Sequence, residues 1–165
     1  MFKNIVGIFA LCTLGVGLYY GMAFSTPSSG QTNTSILVGT FDRLNVKKSG
    51  EARVAVRTKE DVDIATTQAT IAAGGFTGWH SHPGPVFVTV TQGTLTVYNA
   101  PDCQPQVYPA GTGFVEPSPK QVHLVRNEGT VEAQFTATFI LPVGAVRRID
   151  EPQPSGSNCP VPVVP

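Results

Sequence analysis

The sequence predicts an all-β domain, a sandwich or barrel, preceded by an N-terminal signal or anchor helix. Three observations predict it. Apolar residues recur with a period of two through seven Val- and Thr-rich segments between residues 52 and 141. Turn signals such as Gln92-Gly93, Pro101-Asp102, Ala110-Gly111 and Asn127-Glu128-Gly129 separate these segments. Beyond the N-terminal run, no segment keeps a 3.6-residue apolar period.

The elements follow in chain order. The opening "MFKNIVGIFALCTLGVGLYYGMAFSTPSSG" carries Lys3 and then no charge until Asp42. Its apolar run from Ile5, with small residues at Gly21 and Ala23, reads as a secretory signal cut after Ala23. An uncleaved membrane anchor is the alternative, since Ile5 to Phe24 approaches the ~20 residues a span needs. Either reading over residues 1–23 exports the domain, as a secreted, periplasmic or membrane-anchored protein facing outside the cytoplasm. Leu11 ahead of Cys12 excludes a lipobox. Residues 25–35 are polar and lack core-forming side chains, which predicts a flexible linker over 24–35. Asn33-Thr34-Ser35 within it is a glycosylation sequon, meaningful in a eukaryotic secretory pathway.

Strands are predicted over residues 52–58, 62–72, 86–92, 94–100, 113–117, 122–127 and 131–141, inside a barrel domain spanning 36–150. Residues 151–165, "EPQPSGSNCPVPVVP", form a proline-rich extended tail that fits neither a helix nor a central strand. A length of 165 residues with 41% hydrophobic content suits one packed domain, and 17 Gly and 14 Pro supply its turns. A formal charge of zero, becoming −1 once Lys3 leaves with residues 1–23, gives nucleic acid no handle. There is no P-loop, no dinucleotide fingerprint, no Ser-His-Asp order and no internal repeat.

The chain has three histidines, and two of them stand one residue apart at His80 and His82. On a strand, alternate side chains share a face, so these imidazoles point to the same side. His123 lies on a later strand, and a barrel brings inward faces together. Three imidazoles can then cap one face of a divalent ion and leave positions for water or substrate. Their neutrality leaves the ion's charge uncompensated, which favours anionic ligands. The competing reading is three hydrogen-bonded core histidines with no metal.

The arrangement Gly74-x5-His80-x-His82-x3-Val86-x6-Gly93 resembles the first motif of the cupin family, in which a glutamate stands where this chain has Val86. "GTGFVEPSPKQVHLVRN" resembles the second motif, supplying His123-x3-Asn127, with about one residue inserted before the histidine. The resemblance is to small exported single-domain cupins. It implies a double-stranded jelly-roll β-barrel holding iron, manganese or zinc on His80, His82 and His123.

With Val86 unable to ligate, Glu116 is a candidate fourth ligand, or else a solvated carboxylate at a loop end. Trp79 should face away from His80 and pack, and Tyr98 and Tyr108 lie at strand ends, lining a barrel mouth or simply packing. Arg126 should face away from His123, toward the surface.

Two functions compete. Three-His iron cupins resemble the thiol- and diketone-cleaving dioxygenases, implying a metal-dependent oxidoreductase acting on a small organic substrate. The alternative is a non-catalytic extracellular module, structural or binding a small ligand. Expected partners are that small molecule and the membrane only through an uncleaved N-terminus, with a homodimer left open. Cys103 and Cys159 remain after Cys12 departs, and an even pair outside the cytoplasm predicts a disulfide pinning the tail.

Overall fold

β-Branched residues alternating with polar ones give each segment one face for a core and one for water, and the chain folds accordingly. The structure, a computed structural model, describes residues 25–49, 53–116, 121–156 and 158–161. The signal or anchor expected over 1–23 lies outside the described residues. Among these there is no helix. The strands in chain order are β1 (Ser29–Phe41), β2 (Asn45–Ser49), β3 (Val54–Arg57), β4 (Val62–Phe76), β5 (His80–Ser81) and β6 (Val86–Gln92). They continue with β7 (Thr94–Asn99), β8 (Gln106–Pro109), β9 (Gly113–Glu116), β10 (His123–Arg126), β11 (Ala133–Pro142) and β12 (Ile149–Asp150).

Ten of them form one nearly closed, barrel-like sheet, consistent with a jelly roll. Its main path runs β12-β5-β10-β4-β11-β6-β9, with β1 joined to β4 and β7 joined to β10 and β8. β2 and β3 pair antiparallel as a separate two-stranded sheet. β4 organises the whole. Its residues 62–71 are flanked by β1 on one side and β11 on the other. Beyond them it leaves β11, and Phe76 pairs with Arg126 of β10.

Gly74 makes that departure, holding φ at +73° in open space. The position needs glycine for its left-handed backbone, not for room. Asn127 secures the junction from the other strand. Its side chain donates to the Ile71 and Val131 carbonyls (2.9 and 2.7 Å) and accepts from the Gly129 amide (3.0 Å).

Alternation sorts the interior. On β11, Ala133, Phe135, Ala137, Phe139 and Leu141 are buried, while the residues between them are half-exposed. Val86, Val88 and Val90 of β6 face them, with Leu95, Val97 and Val125 completing the main core. Each such Val or Phe contributes about 1.5–3 kcal/mol by leaving water. A second cluster lies on the opposite face of the β5 and β10 strands, built from Phe76, Trp79, Leu124 and the Cys103–Cys159 disulfide. Trp79 donates its indole N–H to Gln153 Oε1 at 2.9 Å and to the Pro160 carbonyl at 3.3 Å. The proline-rich tail is therefore tied down across this face by both a covalent bond and Trp79.

Residues 24–35 are not simply a linker, because residues 29–35 belong to β1 and pair with β4. Edge pairing runs through backbone groups, so a strand there does not require apolar side chains. Thr32 and Thr70 add a cross-strand hydroxyl bond at 2.7 Å. Ordered structure also continues past 150: the Glu151 amide bonds the Trp79 carbonyl at 3.0 Å, and Ser25 bridges to Pro152.

Candidate metal centre

The three histidines reach one point by three routes. His80 opens β5 and lies directly opposite His123 on β10. His82 follows just past the end of β5, two residues from His80 and so on the same side. All three side chains are buried. Their ring centroids lie 4.2 Å apart for His80–His123, 4.9 Å for His80–His82 and 5.2 Å for His82–His123. One nitrogen from each lies within 4.8 Å of the other two, so a single point sits within roughly 3 Å of all three. Zinc–nitrogen bonds are about 2.0–2.1 Å, so a small closing movement would complete coordination.

Backbone carbonyls orient each ring. Nδ1 of His80 meets the Gly78 carbonyl at 2.9 Å, Nδ1 of His123 meets that of Gln121 at 3.0 Å, and Nδ1 of His82 meets that of Arg147. A carbonyl only accepts, so each Nδ1 carries the proton and each Nε2 is left to face the centre. Metal-ligating histidines are ordinarily held this way. Gly78 can serve because it is glycine: its φ is +73°, and a Cβ there would sit 2.1 Å from the Thr26 carbonyl oxygen.

Glu116 completes the cluster. Its carboxylate lies 3.1 Å from His82 Nε2 and 3.2 Å from His123 Nε2, and it is buried rather than solvated. Val86 sits directly opposite it across the β6–β9 ladder, and opposite residues share a face of the sheet. The carboxylate thus arrives from the strand next to the one carrying Val86. Burial opposes its charge, but His123 and His82 outweigh burial and hold Glu116 well below the usual carboxylate range. Burial likewise opposes a proton on His123, yet the facing carboxylate wins and raises its pKa. His80 goes the other way: burial, and then the positive charge of His123, Arg148 and His82, push it well below the ordinary imidazole value. These directions favour an ionised Glu116 and a neutral His80.

The cluster opens on a cavity of about 650 Å³. Val88, Val125, Phe135 and Phe139 give it an apolar wall, Gln31 and Asn33 of β1 lie along it, and Arg147 and Arg148 line it from the loop before β12. Neither Tyr98 nor Tyr108 lines this cavity. Tyr98 donates its hydroxyl to Glu128 at 2.7 Å, and Tyr108 stacks on Phe114 with centroids 4.6 Å apart. Arg126 pairs with Glu128 at 3.9 Å, away from the histidines. Trp79 packs on the far face, beneath the tail. Sequence reasoning missed Arg148 and the β1 residues. The available signal for the first was Arg147-Arg148, the chain's one adjacent pair of arginines.

Residues 67–139 match the cupin domain family. That likeness is to a cupin domain and covers under half of the chain. The matched span runs from β4 into β11 and takes in His80, His82, Glu116 and His123. Among solved structures, the polyketide cyclase RemF from Streptomyces resistomycificus is 13% identical, covering 77% of this chain and 76% of its own, with a TM-score of 0.54; it shows the fold alone. A cupin domain from Bordetella pertussis Tohama I is 19% identical over 72% of this chain and 99% of its own, with a TM-score of 0.47. An oxalate oxidase is 26% identical, with a TM-score of 0.43, covering 48% of this chain and 46% of its own length, so the likeness spans about half of that protein. No curated protein matches the sequence.

Proposed function

We propose that this protein is an exported metalloprotein that binds one divalent ion on the Nε2 atoms of His80, His82 and His123, with Glu116 as an oxygen ligand. We propose further that it acts as a dioxygenase-like oxidoreductase on a small organic molecule held in the adjoining cavity. One observation carries this reading: three carbonyl-oriented imidazoles present Nε2 toward a common centre that also holds a buried carboxylate. Mixed imidazole and carboxylate ligands suit iron, manganese or zinc. When bound, such an ion supplies Lewis-acid or one-electron chemistry at its open positions. The chain's own part is to fix the rings through Gly78, Gln121 and Arg147. Imidazole nitrogens bind an ion only when deprotonated, so loading releases any proton they carry. The valine and phenylalanine wall keeps the reacting end of the substrate out of bulk water.

Export is supported by the apolar run from Ile5 and by the disulfide, since disulfides persist in oxidising compartments. Recovery of the protein in the cytoplasmic fraction with both thiols free would reject it. The pairing of Glu116 with both His82 and His123 favours a second reading, a non-catalytic module whose cluster is structural.

Elemental analysis tests the ion site. The full chain should purify with close to one ion per chain. His80→Ala and His123→Ala should lose it while the melting temperature of the metal-free form changes little. Metal content unchanged in both variants refutes the site. Oxygen uptake with diketones, flavonols and thiols then distinguishes an enzyme from a module.

A further inference from the structure

Among the residues lining the cavity, two guanidinium groups stand against one carboxylate, and that carboxylate is already engaged by histidines. Arg148 is the better held of the two. Its Nε donates to Asp150 Oδ1 at 2.6 Å, an ion pair with an exposed carboxylate, and its Nη2 donates to the Thr77 carbonyl at 2.7 Å. These bonds fix the plane of the fork, and Nη1 makes no hydrogen bond among the described residues. Its side chain remains 29% exposed, so its remaining donors are open to a ligand entering the cavity. Arg147 beside it is exposed, with no ion pair among the described residues, while its carbonyl orients His82. The loop that aligns a histidine therefore also presents positive charge to whatever lies beside it. A preset guanidinium is a better carboxylate receptor than a mobile lysine, because less side-chain freedom is lost on binding.

We infer that Arg148 is the residue that recognises substrate in this protein, and that the substrate class is a small organic acid. Its carboxylate pairs with Arg148, its apolar body lies along Val88, Val125, Phe135 and Phe139, and a second oxygen donor is directed to the histidine cluster. The inference deepens the metal-site reading and rests on it for that last contact only; the carboxylate pocket depends on Arg148 alone. Arg148 lines the same cavity as His80, His82 and Glu116, which places the bound acid beside the histidine cluster.

Calorimetric titration of the full chain tests it, using matched acids and amides: pyruvate against pyruvamide, benzoate against benzamide, phenylpyruvate against its amide. At least one acid should bind about tenfold more tightly than its amide, the difference one charge-assisted hydrogen-bond pair provides. Arg148→Met should abolish that preference with metal content unchanged, and Arg148→Lys should retain only part of it. The comparison on the unaltered protein stands even where a variant fails to fold. Acids binding no more tightly than their amides, or a preference intact in Arg148→Met, overturns the inference. Metal content is read separately. A preference that survives chelation and still depends on Arg148 upholds the acid pocket while removing the ion, whereas a metal-loaded protein indifferent to Arg148 leaves the metal site and ends this proposal.

Discussion

Glu116 stands opposite Val86 on neighbouring strands, so one side chain supplies the charge at a place where the other supplies only volume. Val86 is fully buried in the main core, on the same face of the sheet as Glu116. This geometry predicts that the carboxylate can be moved between strands. Glu116→Val should weaken metal binding by at least about 10–100-fold, the range seen when partners of a metal ligand are removed. Adding Val86→Glu to that variant should recover most of the loss, measured by competition with a chromogenic chelator. No recovery would mean that the two positions do not address the same centre. Val86→Glu alone should gain little, because a second carboxylate beside Glu116 must share its proton or its ion.

Periodic elements were legible in the sequence and register-dependent ones were not. Alternating Val and Thr marked residues 86–92, and β6 has those bounds. β4, β7, β9, β10 and β11 fall within a few residues of their expected segments, because their β-branched residues carry the signal whether one face is buried, as in β11, or both, as in β10. β5 and β12, at two residues each, are too short for any period. β1 escaped because an edge strand with polar side chains resembles a linker until its partner is known. The histidines were legible as a group, since alternation places His80 and His82 together. Glu116 could be named a candidate, but its distance from His82 depends on the β6–β9 register, which nothing local specifies. Arg148 reaches the cavity only because the chain returns after β11, and no pattern around it announces that return.

At the scale of the whole molecule, two cores share the strands that carry the histidines. His80 and His123 turn into the histidine cluster, while their neighbours Trp79 and Leu124 face the tail. The disulfide should therefore matter to both stability and the site. It closes a separation of 56 residues, and loop-closure entropy assigns such a bridge roughly 3–5 kcal/mol. Cys159→Ser should lower unfolding stability by that order in chemical denaturation. It should also shift the emission of Trp79, the chain's single tryptophan, toward the red as the tail loosens. Unchanged emission together with unchanged stability would show that the tail holds without its bond.

The return of residues 147–160 also sets the order in which the molecule can become functional. The carbonyl that orients His82, the guanidinium in the cavity, the strand that pairs with β5 and the cover over Trp79 all come from this stretch. Every histidine is synthesised well before it. A nascent chain that has reached only Gly144 holds all its ligands and no finished cradle, so it should bind a divalent ion about 10–100-fold more weakly than the full chain. Equal affinity in chains stopped at Gly144 would show that the cradle closes without them. Otherwise the cluster gains its full affinity for an ion only once the chain has passed this stretch.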